Sequence, residues 1–343
     1  MAQINKPSEY FNTKLYTGTS STQSITGVNF QPDLVWFKRR DGVSSHRLTD
    51  AVRGTTKLLQ TNANDADQTG TDTLTSFDSD GFTLGADTAP YNVNVSGQTM
   101  VAWNWKANGS GVSNTDGSIT STISASTTSG FSIVKYTGTG SNATVGHGLG
   151  AVPKFIIVKA LNDPRSWITY HSSNGASGGM DLNSSGAFYS NSLFWNNTTP
   201  TSSVVHLGTS VQSNSTYDYI MYCFAEKKGF SKFGSYTGNG NADGTFIYTG
   251  FKPAWVLVKK TSAIDNWILL DNKRDTAPNP HKLALFPNLA DVESGDYLTD
   301  FLSNGFKIRS ATGSLNTSSA TYIYMAFAEE PLVGTNNIAA TAK

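Results

Sequence analysis

Tyr16-Thr-Gly-Thr19, Pro32-Asp-Leu-Val-Trp-Phe-Lys38 and Met100-Val-Ala-Trp-Asn-Trp-Lys106 recur in that order twice more along the chain. The second set is Tyr136-Thr-Gly-Thr139, Pro153-Lys-Phe-Ile-Ile-Val-Lys159 and Tyr219-Ile-Met-Tyr-Cys-Phe-Ala225. The third is Tyr236-Thr-Gly-Asn239, Pro253-Ala-Trp-Val-Leu-Val-Lys259 and Tyr322-Ile-Tyr-Met-Ala-Phe-Ala328. Ser45-His46, Ser166-Trp167 and Asn266-Trp267 keep the offsets of 121 and 100 residues that separate the lysine-ended strands. Landmarks in fixed order at near-fixed spacing mark three related modules. The lysine-ended runs are short, continuous and apolar, as strands buried on both faces are. Asp80-Gly81, Asp116-Gly117, Asn174-Gly175, Asp243-Gly244 and Asn304-Gly305 supply turn chemistry between strands. Together these predict an all-β protein of three tandem β-sandwich modules, jelly-roll or concanavalin-like. The expected modules are 1–108, 131–228 and 229–331, with a Ser/Thr/Gly-rich linker over 109–130 and a tail over 332–343. The one helix expected is short, Asp50 to Gln60.

Modules one and three share more than either shares with module two. Phe77-Asp-Ser-Asp-Gly-Phe82 matches Phe301-Leu-Ser-Asn-Gly-Phe306, and Asp50-Ala-Val-Arg53 matches Asp271-Asn-Lys-Arg274. Module two lacks both features.

The 343 residues carry 25 Lys+Arg against 25 Asp+Glu, so the chain has neither the basic footprint of a nucleic-acid binder nor a polybasic lipid patch. The polar start Met-Ala-Gln-Ile-Asn-Lys reads as no secretory signal, and no apolar run is long enough to span a bilayer. Cys223 is the only cysteine, which excludes an internal disulfide and places a small apolar side chain in a strand. The five histidines fit no metal-ligand spacing, and Asp78-Ser-Asp80-Gly reads as a turn rather than a calcium loop, so no metal or cofactor is expected. No P-loop occurs. Asp291 and Glu293 could be imagined as a glycosidase pair, but any long chain offers such pairs. Trp167 and Trp267 recur and therefore read as core. Tyr189 and Trp195 have no counterparts and read as surface candidates.

His147-Gly-Leu-Gly with Pro153-Lys-Phe-Ile-Ile-Val-Lys159 resembles a signature of tailed-phage virion proteins. Asp50-Ala-Val-Arg-Gly-Thr-Thr-Lys-Leu-Leu59, Ser76-Phe-Asp-Ser-Asp-Gly-Phe-Thr-Leu-Gly85 and Val101-Ala-Trp-Asn-Trp-Lys106 are similar to the same uncharacterised, tail-fibre-like family. Members often carry Cys where this chain has Asn104. The resemblance implies a non-enzymatic virion structural protein, a tail fibre or tail-associated adhesin that meets host-surface glycan. The alternatives are a capsid decoration or head-fibre protein and, behind it, a polysaccharide depolymerase. The implied partners are other virion proteins, a host glycan and further copies of the chain, a trimer by the fibre analogy, with no nucleic acid and no membrane insertion. Loops Asn183–Asn197 and Pro278–Glu293, with Tyr189, Trp195 and His281, are the expected recognition surface. Leu332, Asn336 and Ile338 in the tail are the expected virion-docking residues.

Overall fold

The computed structural model describes residues 3–89, 91–275 and 279–329. Each module builds one large antiparallel sheet from the repeated landmarks. In module one the order is Phe11–Thr17, Thr99–Trp105, Leu34–Arg39, Arg47–Asp50. Phe131–Thr137, Asp218–Phe224, Phe155–Ala160, Ile168–His171 repeat it in module two. Ser231–Thr237, Thr321–Ala328, Pro253–Lys260, Ile268–Asp271 repeat it in module three. The closing aromatic strand thus lies beside the opening strand, and the lysine-ended strand lies on its other side. A smaller sheet covers one face of each. It is Gln23–Thr26, Gly81–Leu84, Leu74–Asp78 in module one and Phe246–Tyr248, Gly305–Ile308, Thr299–Leu302 in module three. Module two, which lacks the Asp-Gly hairpin, has only Ala143–Gly146 against Val204–Leu207.

Alternation along the strands decides what each face meets. Val35 and Phe37 pack toward the cover sheet of module one, as Ile156 and Val158 do in module two. Trp36, Trp103 and Trp105 face the other way, into a core shared with Phe155, Ile157, Tyr222 and Phe224 of module two and Trp255, Leu257, Met325 and Phe327 of module three. Trp105 and Trp255 meet edge to face at 5.5 Å, and Phe11 stacks on Phe327 at 5.3 Å. What remains open there is a void of about 10 Å³, room for at most one water. The three sandwiches therefore share one central core instead of standing as separate beads.

Two sequence expectations are corrected here. Stretch 109–130 is no loose linker: Val112–Asn114 and Ser121–Ser126 pair with each other and extend the large sheet of module two. Its Ser and Thr side chains suit a strand at a sheet margin, where one face stays wet. Asp50 to Gln60 is not a helix. The Asp50 carboxylate accepts from the backbone N–H of Val52 and Arg53, which turns the chain at once into the short strand Lys57–Leu58.

The Tyr-Thr-Gly signature has a common cause in all three modules. The hydroxyls of Tyr16, Tyr136 and Tyr236 donate to the carbonyls of Val93, Ser213 and Leu315. The next residues, Asn94, Asn214 and Asn316, are fully buried. Their Oδ1 atoms accept from the backbone N–H of Thr19, Thr139 and Asn239. Each Nδ2 donates to the carbonyl two residues further on, Ser21, Ser141 or Asn241. A Cβ on Gly18, Gly138 or Gly238 would lie 2.0–2.3 Å from a backbone oxygen, so only glycine fits.

Candidate functional site

The irregular stretches of the three modules form a cycle of arms. Residues 60–67 of module one reach module two, where Asp67 N–H donates to the Leu161 carbonyl and Trp167 Nε1 donates to the carbonyls of Gln60 and Ala63. Residues 181–188 of module two reach module three through Phe188 N–H to Thr261 O and Trp267 Nε1 to Asp181 O. Residues 286–293 of module three return to module one through Glu293 N–H to Arg40 O and Ser44 N–H to Ala290 O. His46 stands where Trp167 and Trp267 do, accepts from Trp36 Nε1 at its Nδ1, and is fully buried.

Two buried ion networks sit at these clasps. Asp50 and Arg53 pair at 2.6 Å, and Arg53 continues to Asp67 at 2.7 Å. Asp271 and Arg274 pair at 2.5 Å, and Arg274 continues to Glu293 at 3.2 Å. Burial pushes the Asp271 carboxyl up, but Arg274 and the Trp103 indole outweigh it and hold it below the usual range. Module two puts His171, Asn174 and Phe188 at the matching positions and so carries no charge there. The neighbour's side chain changes in step. Tyr222 donates to Asp50, Trp103 donates to Asp271, but Met325 offers nothing, and His171 Nε2 pairs instead with the Tyr324 carbonyl. Burial lowers the His171 pKa to about 4, so it is neutral and Nε2 can carry the proton.

Lys38, Lys159 and Lys259, the lysines that end the repeated strands, are buried. Each ammonium donates to the carbonyl of the following residue, Arg39, Ala160 or Lys260. Lys38 also reaches Ala290 O, and Lys259 reaches Ser185 O, across the clasps. Burial lowers all three to about 8.

These contacts relocate the recognition residues expected from sequence. Trp195 is buried and donates to Gly178 O, and His281 is buried against Phe301 at 4.7 Å. Both read from sequence as surface because they lie in module-specific stretches with no repeat partner to mark them as core. Tyr189 is partly exposed, with its hydroxyl bonded to Asp181. Within stretches 183–197 and 279–293, residues 183–188 and 286–293 are clasp, while Phe194 and Trp195 pack into module two and His281 bridges Thr299 in module three. Glu293 is held by Arg40 and Arg274, so it stands as an ion-pair partner, while Asp291 is exposed. Asp80 accepts from Gly27 and Asn29 N–H, in keeping with a turn. Among the described residues no group of three metal-ligating side chains forms. Leu332, Asn336, Ile338 and Pro278 lie outside the described residues.

What the clasps leave open is limited. A groove of about 420 Å³ runs between Val43 of module one and Phe286, Leu289, Val292 and Tyr297 of module three. A pocket of about 470 Å³ lies at the other end, between Lys6, Glu9, Tyr10 and Lys227. The outer face of the module-three cover sheet carries Phe246 and Tyr248, 43% and 63% exposed.

Fold and site define a class: an all-β body of three interlocked sheet pairs with buried ion networks at two of its three joints. The chain belongs to the family described as a domain of unknown function, DUF7483, whose profile matches residues 6–331. No curated protein and no solved structure matches it. The family match runs through all three modules and stretch 109–130. The shared core and clasps span the same extent, so the family unit and the packed body coincide.

Proposed function

We propose that the chain is a non-enzymatic virion structural protein of a tailed phage, a tail fibre or tail-associated adhesin that contributes to attachment to host-surface glycan. The observation that carries this reading is where the ionisable side chains are spent. Asp50, Arg53 and Asp67 pair within module one, and Asp271, Arg274 and Glu293 pair within module three. Tyr222, Trp103 and Arg40 reach these groups from the neighbouring module and so tie the modules together. A body so braced suits a particle part that must persist outside a cell, where slow unfolding matters more than equilibrium stability. The registers add a direction. Phe11, Trp105, Phe131, Phe224, Ser231 and Phe327 lie at one end of their strands, with both module crossovers, and Ile4 N–H bonds Lys228 O there. That end is the proposed virion side, and the cover sheets and opposite loops are the presented side. Assembly as a homo-trimer is what the fibre analogy adds.

The cyclic order of the modules favours a second reading, a capsid decoration protein seated on a local threefold. Antibody-gold labelling of intact virions separates the two. Label on the tail supports the adhesin, label over the head supports decoration, and no label with the epitope accessible contradicts both. Release of reducing ends from host polysaccharide by the purified chain would contradict the non-enzymatic part.

A further inference from the structure

The cover sheets of modules one and three share one register from Ser76 to Asp78, Gly81 to Thr83 and Ser24 to Thr26, with a bulge at Thr75 in module one alone, which makes one a control for the other. Ile25 and Ile247 point inward at matching places, opposite Phe82 and Phe306. On the outer face of module one lie Ser24, Thr26, Thr83, Ser76 and Asp78. Their groups satisfy one another: Ser24 and Thr83 hydroxyls share a bond of 2.8 Å, Thr83 donates to Asp78, and Ser76 donates to Asp78. The matching face of module three has Phe246 for Ser24, Tyr248 for Thr26, Lys307 for Thr83, Asp300 for Ser76 and Leu302 for Asp78. The fold works with a hydroxyl ladder here, so the two exposed aromatic rings are not there to hold it.

Phe246 and Tyr248 share one side of a strand, about 7 Å apart along it. Opposite Tyr248 the partner strand has Gly305, where a Cβ would lie 2.1 Å from Ile247 O and 3.0 Å from the Phe246 ring. The result is a strip on which Phe246 and Tyr248 are exposed beside the half-buried Leu302, with the buried Gly305 beneath the Phe246 ring. Polar groups line one margin: Lys307 pairs with Asp243 at 2.6 Å, and Arg309 bridges Asp243 and Asp300 at 3.4 and 3.5 Å. Asp243 is 75% exposed, with lone pairs to spare.

We propose that this face binds a chain of pyranose sugars. A pyranose presents a C–H face that stacks on the electron-rich face of an aromatic ring, and hydroxyls at its rim. Two rings on one strand meet successive sugars, and the Asp243–Lys307–Arg309 margin supplies acceptors and donors already oriented by their own pairing. A three-residue strand is too short to hold a second copy by edge pairing, and the strip is far below the ~1,600 Å² of a standard protein interface. The site names a ligand face for the glycan attachment proposed above and rests on that reading.

The test uses the full chain and a double variant, Phe246→Ser with Tyr248→Thr, which installs the residues of module one. Both proteins are applied to an array of bacterial lipopolysaccharides and capsular polysaccharides, with far-ultraviolet circular dichroism and light scattering as controls. The expected result is wild-type binding to at least one polysaccharide, weakened at least about tenfold in a variant that stays folded. Three results overturn the proposal: no polysaccharide bound, binding unchanged in the variant, or a wild-type dimer that the variant dissociates. If the variant still adheres to host cells as wild type does, attachment lies elsewhere and only this site fails. If array binding depends on the two rings but virions carry no label, the site stands and the virion reading fails.

Discussion

His171 stands where modules one and three have Asp50 and Asp271, and the exchange is complete rather than local. Its neighbour Asn174 replaces an arginine, Phe188 replaces an acid, and Met325 replaces a donor. A buried ion triad is stable only when every member is paired, so a set can be lost together but not singly. His171→Asp should therefore cost about 3–5 kcal/mol in denaturant unfolding, as an uncompensated buried charge does. Adding Asn174→Arg should recover part of that loss, a coupling that a double-mutant cycle reads directly. The histidine also sets a pH dependence. Its folded pKa is lowered to about 4 from 6.5, so between those values the unfolded chain binds the extra proton. Stability is full above pH 6.5 and falls as pH drops toward 4. Urea midpoints across that range should fall less steeply in His171→Gln, by about one proton's share, ~1.4 kcal/mol per pH unit.

At the scale of elements, the strands were legible because both faces of each large sheet are buried, which writes an unbroken apolar run. The Tyr-Thr-Gly loops were visible as repeats, but their cause was not. Asn94, Asn214 and Asn316 lie about 80 residues downstream of the glycines they serve, and a lone Asn in a loop carries no signal. Asn214→Ala should leave Thr139 N–H and the carbonyls of Ser141 and Gly208 without their partner. At about 1–3 kcal/mol for a buried unpaired group, the expected loss is about 3 kcal/mol, with the denaturant slope unchanged. Stretch 109–130 was misread because its composition is that of a linker, whereas its pairing partner, the strand Phe131–Thr137, is set by register and not composition. Protease should therefore spare this stretch in the folded chain. Rapid cutting between 112 and 126 without loss of the rest would contradict its place in the sheet.

At the scale of the molecule, the sequence announced three modules but not their closure. Closure depends on faces: Trp36, Trp103 and Trp105 look like the core of one sandwich until the other side of the sheet is seen to hold Val35, Phe37 and Phe82. It depends also on arms whose bonds are mostly to backbone carbonyls, which no side-chain pattern records. The most direct test of this account is equilibrium unfolding of the full chain, followed by calorimetry, tryptophan fluorescence and far-ultraviolet circular dichroism together. With one shared core and three clasps closing a cycle, the account predicts a single coincident transition whose calorimetric and van't Hoff enthalpies agree. It predicts as well that residues 131–228 made alone do not fold, since the face bearing Phe155, Ile157, Tyr222 and Phe224 would be bare. Two or three separated transitions, or a stable isolated module, would contradict it.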